Sequence, residues 1–149
     1  MPSAPQPDRL PVAPVSAEEV ERNGSGAQAL IGYHLDLTGA DGAGRVILDI
    51  EDRHLNRHGS LHGGIVAMML DAAGGFAVSR ASEGEGLPNV ATVSLNTNYV
   101  APARGGHRVT AVGHVTGGGR KVVFASAQLL DQDGTLLATA SGVFRCIRA

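Results

Sequence analysis

The chain has one cysteine, Cys146, no tryptophan, two tyrosines and three phenylalanines in 149 residues. A single cysteine cannot close an internal disulfide and excludes a cysteine-rich zinc centre, so a reducing, cytoplasmic setting is expected. Charge is sparse too. Charged residues make up 17% of the chain and the net charge is −2, where about a quarter charged is usual. No run of Lys or Arg marks a nucleic-acid footprint or a membrane-surface face, so neither partner is expected. The longest apolar run, about Ile65 to Leu70, is far too short to span a bilayer. Met1 to Val15 lack the basic and apolar regions of a signal peptide.

Glycine, at 21 positions, and apolar residues, at 43%, are abundant instead. The composition and length fit one compact, turn-rich domain with surface to hide in an oligomer. Five of the seven prolines fall between Pro2 and Pro14, so residues 1–15 read as a disordered tail and 16–149 as the domain. Ser16-Ala17-Glu18-Glu19 carries a capping-box pattern for a short helix ending near Gly24. Tyr33–Leu37 and Arg45–Ile50 read as strands joined by a glycine-rich turn. From Asn89 onward, Val90–Val100, His107–Thr116, Arg120–Leu130 and Thr135–Ile147 read as four strands of an antiparallel meander.

Between the two groups of strands lies a different segment. Gly64 to Val78 is rich in Met, Leu and Ala and carries one charged residue, Asp71. Its length and shortage of β-branched residues favour a helix, and a helix apolar on every side is a buried one. The order strand, strand, helix, then four strands predicts an α+β fold in which a curved antiparallel sheet wraps around one long central helix.

A carboxylate among Met69, Leu70, Ala72 and Ala73 costs several kcal/mol unless it is bonded, paired or protonated. It is either a structural group bonded to the backbone or to an arginine of the sheet, or part of a functional site. Asp71 lies seven residues after Gly64 and four after Ala67, on one face of a helix with Gly74 and Gly75 near the same stripe. That face of small residues leaves room for a ligand or a neighbouring chain. The opposite face, with Ile65, Met68, Met69, Ala72 and Phe76, suits the core. At the helix start, His62-Gly63-Gly64 offers unpaired backbone N–H groups at the positive end of the dipole, as an oxyanion hole requires.

His54, His58 and His62 are spaced four apart, as metal ligands on a helix would be. Gly59 and Ser60 turn that stretch into a loop, so no metal site is expected. Ser60, Ser94 and Cys146 stand in no nucleophile-and-base pattern.

The run Asn56-Arg57-His58-Gly59-Ser60-Leu61-His62-Gly63-Gly64, with Asp71 seven residues past the second Gly, resembles the signature of the hotdog-fold thioesterases, in particular the phenylacetate-degradation (PaaI-type) branch. The similarity runs from about Tyr33 to Ile147 and includes Val93 to Pro102, which resembles the family's first strand after the helix. The resemblance implies a hotdog fold and hydrolysis of an acyl-CoA thioester to the free acid and CoA, without a cofactor. It implies that Asp71 is general base or nucleophile, that the Gly63 N–H holds the oxyanion, that Asn56 orients water or substrate, and that His62 maintains that geometry. Gly64 would line the substrate site.

In such proteins a hydroxyl from the partner subunit's post-helix strand helps position the acid or water. Thr92 matches it best, with Ser94 in reserve by alternation along the strand. Dimers, often paired into tetramers, with sites at the subunit interface are the implied assembly. Arg120 and Lys121 are the candidate partners for coenzyme A phosphates. A non-catalytic acyl-CoA sensor and an enoyl-thioester hydratase share the fold and are the alternatives.

Overall fold

The computed structural model describes residues 12–147. Most of the expected tail, residues 1–11, lies outside the described residues, as do residues 148–149. Residues 12–15 lie against the first hairpin, where Val15 N–H donates to Leu37 O (3.2 Å) and Ala13 O accepts from Arg80 (3.3 Å).

Helix α1 (Ala17–Arg22) starts where expected, with Ser16 Oγ accepting from Glu19 N–H at 3.2 Å. A second short helix, α2 (Gly26–Ile31), follows at once. Its Ser25 cap accepts from Gln28 N–H (3.1 Å), a signal masked in the sequence by Gly24 and Gly26, poor helix formers. Strands β1 (His34–Asp36) and β2 (Gly44–Asp49) form the first hairpin. The central helix α3 spans Gly63–Ala81. Strands β3 (Val90–Tyr99), β4 (Arg108–Gly118), β5 (Val122–Asp131) and β6 (Leu136–Cys146) complete the chain.

The six strands form one antiparallel sheet in the order β1-β2-β4-β5-β6-β3. The expected four-strand meander is therefore corrected: β4, β5 and β6 form one, but β3 is carried to the far edge, beside β6. The segment after β3, read as a hairpin turn, is a crossover. Along it, Val100 and Ala101 N–H both donate to Leu137 O, Ala103 O accepts from Leu61 N–H, and Gly106 N–H donates to Ile50 O. It thus crosses the ends of β6, the loop before α3 and β2.

The helix is seated on the sheet at a pair of glycines. Gly44 of β2 and Gly113 of β4 are register partners. A Cβ on either would stand well inside van der Waals contact distance of the Ala73 carbonyl oxygen. Next along the inner face come Val46 opposite Ala111, then Leu48 opposite Val109, all buried. The helix thus lies closest where glycine meets alanine, and its larger residues Val66, Met69 and Leu70 fill the deeper end. This seating corrects the expected core face. Val66, Met69, Leu70, Ala73, Ala77 and Val78 are buried, whereas Ile65, Met68, Ala72 and Phe76 are only half-buried. With no polar side, the helix sequence could not tell which apolar stripe would face the sheet.

By length and mean hydropathy (1.2 over 18 residues) α3 could cross a bilayer, but half of that window is buried inside the domain. Its last turn is tied down by Arg80, which donates to Ala43 O (2.6 Å) and Gly39 O (2.7 Å).

Gly113→Ala puts a methyl against α3 backbone that cannot rotate away, so it is expected to destabilise the fold by about 1–3 kcal/mol. Urea denaturation measures this. An unchanged midpoint would show that the helix does not rest on this glycine pair.

Candidate active site

The carboxylate comes from the helix. Asp71 is two residues before Ala73 and so about 200° around the axis from it. Seating Ala73 on the glycine pair turns Asp71 away from the middle of the sheet. It is half-buried, not enclosed by apolar side chains as the sequence suggested. The curved sheet brings its edge strand alongside, and Thr92 Oγ1 donates to Asp71 Oδ1 at 2.6 Å. That bond fixes the carboxylate plane and leaves Oδ2 for a water or a substrate. The contact is within one chain, whereas the partner subunit was the expected donor. Asp71 and Thr92 line a pocket of about 230 Å³ together with Ala72, Phe76, Leu87 and Phe144. Tyr33 is buried nearby. Burial raises its phenol above the ordinary tyrosine range, and the Asp71 charge adds to the effect, so it stays protonated at neutral pH.

Ser94 does not share this side. Thr92 pairs with the buried Phe144, but the register shifts between Thr92 and Ser94, and Ser94 pairs with Val143. Val93 is the extra residue of a β-bulge, so alternation restarts out of phase and Ser94 points to the outer face. Ser94 is thereby removed as a substitute for Thr92.

The second group of residues gathers at the start of α3. Asn56 Oδ1 accepts from His58 N–H (2.9 Å) and Ser60 N–H (3.2 Å). Only the amide oxygen can take those bonds, so Nδ2 is the free end, and it donates to nothing among the described residues. His62 is the helix N-cap, its Nδ1 accepting from Gly64 N–H at 2.9 Å. The His62 ring proton therefore sits on Nε2, and the Gly64 donor is used up. The Gly63 N–H has no partner among the described residues, and Asn56 and Gly63 line one hollow of about 390 Å³. Of the two glycines, Gly63 is the one with a donor to spare.

Tyr99 was not among the expected residues. Its hydroxyl donates to Gly63 O at 2.7 Å, and its ring borders the same hollow while remaining 59% exposed. The only sequence signal for it was its place in the Asn98-Tyr99-Val100-Ala101-Pro102 run.

Gly63 and Asp71 are eight residues apart on one helix, about 12 Å along its axis. One chain therefore does not bring Asn56, His62 and Gly63 together with Asp71 and Thr92. Arg120 and Lys121 lie near the far end of α3. Arg120 Nη2 pairs with Glu83 at 2.9 Å, both side chains exposed, on the rim of a larger hollow, of about 830 Å³. His54 is structural: its ring is buried between Glu51 N–H (2.9 Å) and Ile31 O (2.8 Å). Among the described residues no three His, Cys, Asp or Glu are placed to hold a metal.

A profile described as the thioesterase superfamily matches residues 58–138. The chain belongs to the thioesterase superfamily. The match takes in the Gly63 turn, Asp71 and Thr92. A Halobacterium salinarum protein named as an esterase is 35% identical over 116 residues, which cover 73% of this chain and 77% of that one. Mouse acyl-coenzyme A thioesterase 13 is 32% identical over 92 residues, covering 61% of this chain and 64% of the relative. The Escherichia coli PaaI protein of the phenylacetic acid degradation operon has the same fold, with a TM-score of 0.76 at 17% identity, over 89% of this chain and 96% of that one. The hotdog fold, shared with the PaaI protein, is thus established for this thioesterase, which is a thioester hydrolase.

The Gly63 donor can be removed without breaking the helix. Gly63 is the first helical residue, where proline is accepted because its N–H is not needed by the helix. His62 before it is already extended (φ −59°, ψ 132°), as a residue preceding proline must be. Gly63→Pro is expected to lower kcat by about 10²–10³, whereas Gly63→Ala, which keeps the N–H, retains most of it. Equal kcat for the two variants would dismiss Gly63 as oxyanion donor.

Proposed function

We propose that this thioesterase hydrolyses acyl-CoA, and that each site is built from two copies of the chain: Asp71 and Thr92 from one, Asn56, His62 and Gly63 from the other. The observation that carries the reading is the Thr92–Asp71 bond, which holds a carboxylate with one oxygen free on a pocket of mixed polar and apolar lining. In the proposed reaction, the free Oδ2 of Asp71 takes a proton from water as that water attacks the thioester carbonyl. The carbonyl oxygen, now negative, is held by Gly63 N–H and Asn56 Nδ2. Collapse breaks the carbon–sulfur bond, and the proton held by Asp71 leaves with the CoA thiol. The alternative is direct attack by Asp71 to give a mixed anhydride. Label in the Asp71 carboxylate after a single turnover in ¹⁸O-water would establish the anhydride route, with water attacking the aspartyl carbonyl, because general-base hydrolysis labels the product acid alone.

The two-copy site is supported by what the single chain leaves open. The outward face of α3 carries the half-buried Met68, Ala72 and Phe76. The neighbouring edge strand and the residue after it expose Val93 (63%), Tyr99 (59%) and Val100 (59%). An apolar strip beside an unpaired edge strand suits a symmetric partner. The pairing of such dimers into tetramers is part of the same proposal.

The first test is thiol release across aromatic and aliphatic acyl-CoA substrates, with Asp71→Asn and Asp71→Ala expected to abolish it in folded protein. Unimpaired release in both variants would refute the mechanism. Ligand-induced thermal shifts without release would favour the sensor, and loss of enoyl absorbance without thiol would favour the hydratase.

The second test mixes two inactive variants, Asp71→Asn and Gly63→Pro, after co-refolding. If each site draws on two copies, half of the dimers are mixed and carry one intact site, so activity should recover to about a quarter of wild type. No recovery would mean that one chain supplies both halves.

A further inference from the structure

Resting on the acyl-CoA reading, the structure points to a phosphate site on the opposite side of β3 from the carboxylate. Lys121 leads into β5 and Arg145 lies one residue before the end of β6. Cys146 N–H donates to Lys121 O (2.9 Å) and Val122 is the register partner of Arg145, so the two cations are neighbours across the strands. Both are exposed, and together with Ala91, Cys146 and Ile147 they line a hollow of about 500 Å³. Among the described residues, five of the eight other arginines are already engaged. Arg45, Arg53, Arg108 and Arg120 pair with Asp41, Glu51, Asp49 and Glu83, and Arg80 is bonded to main-chain carbonyls. Lys121 and Arg145 have no ion-pair partner among the described residues. Two uncompensated cations beside one concavity make a local positive potential on a chain that is acidic overall.

The place of this hollow relative to Asp71 is fixed by the sheet. Arg145 pairs with Ala91, and Thr92 is the next residue along β3. The Cα atoms of Arg145 and Thr92 therefore lie within about 9 Å of each other. Ala91 is the second residue of β3, so a ligand passes from Asp71 to the hollow around the end of the strand. A coenzyme A thioester has the matching layout: an uncharged pantetheine arm joins the thioester to a pyrophosphate and a ribose phosphate.

We propose that Lys121 and Arg145 bind the phosphates at the nucleotide end of the coenzyme A thioester, so that Arg145 takes the role that the sequence assigned to Arg120. A lysine and an arginine suit this role as strong donors to phosphate oxygens.

The test compares wild type with the Lys121→Ala/Arg145→Ala double variant on one acyl group carried three ways: on coenzyme A, on phosphopantetheine and on N-acetylcysteamine, which has no phosphate. For the CoA thioester, KM is expected to rise about 10- to 100-fold with kcat within about twofold. The N-acetylcysteamine thioester should show unchanged kcat/KM, which also reports that the fold and the reacting groups are intact. An unchanged KM for the CoA thioester overturns the proposal, and so does an equal loss on the phosphate-free thioester. A rise with phosphopantetheine as large as that with CoA overturns the nucleotide assignment in favour of a carrier-protein arm. Direct binding of free coenzyme A by calorimetry, weakened in the double variant and less salt-dependent there, tests the site without turnover. If wild type hydrolyses none of the three thioesters, the acyl-CoA reading fails by itself, and the calorimetry still decides whether this phosphate site exists.

Discussion

The close contact between the Ala73 backbone and the glycine pair Gly44/Gly113 decides how everything else in this fold is oriented. An apolar helix with no polar stripe has no reason of its own to choose one rotation against a sheet. Two adjacent glycines make a notch that only a helix backbone flanked by small side chains can enter. Once Ala73 is in it, Val66, Met69, Leu70 and Ala77 follow into the core, and Asp71 is left facing the edge of the sheet. The carboxylate's direction is thus set by backbone approach on the opposite side of the helix, and only afterwards refined by a hydrogen bond.

Strand β3 does that refinement at the start and at the middle of the helix. Thr92 Oγ1 holds the carboxylate and Tyr99 OH holds the Gly63 carbonyl, at 2.6 and 2.7 Å. The two hydroxyls lie on one strand, and the bulge at Val93 lies between them. The bulge allows Thr92 to face Asp71 while Leu95, in the restarted alternation, still packs into the core beside Gly142. Without the extra residue, one of those two contacts would point to the outer face. A strand carried to the sheet edge by a crossover is exposed on one side, so whatever covers β3 bears on both the Asp71 carboxylate and the Gly63 turn.

Much of this was legible beforehand. The buried-type helix, its lone carboxylate, the Gly-Gly start and the strand texture all follow from local chemistry, and local chemistry is what a sequence displays. What failed were the non-local choices. The rotation of α3 depended on the Gly44/Gly113 notch, whose two halves are almost seventy positions apart. The neighbour of β3 depended on a crossover whose proline and glycines looked like a hairpin turn. The side on which Ser94 lies depended on a bulge, and alternation carries no mark of an inserted residue. That Arg120 pairs with Glu83, while Arg145 has no ion-pair partner among the described residues, depended on which carboxylate the fold brought within reach. Tyr99 was overlooked because its contact is to a main-chain carbonyl, which any residue can supply.

The spacing of Gly63 and Asp71 is a constraint of another kind, since it holds for any rotation or packing of the helix. Eight residues put about 12 Å between the proposed oxyanion donor and the proposed base, which would have to act on the same carbonyl, and near-attack geometry requires reacting atoms about 3–3.5 Å apart. No side-chain rotamer closes that gap, because Gly63 contributes a backbone N–H and Asp71 has a short side chain. A helix of the same sequence running antiparallel beside the first does close it, twice over. Symmetry places each Gly63 end near the other copy's Asp71, and the half-buried strip of Met68, Ala72 and Phe76 supplies the apolar surface on which they would meet. In this proposed arrangement the covering helix also removes water from around Asp71, which the single chain leaves half-exposed. Assembly and desolvation of the base then become the same event, and an isolated chain has neither.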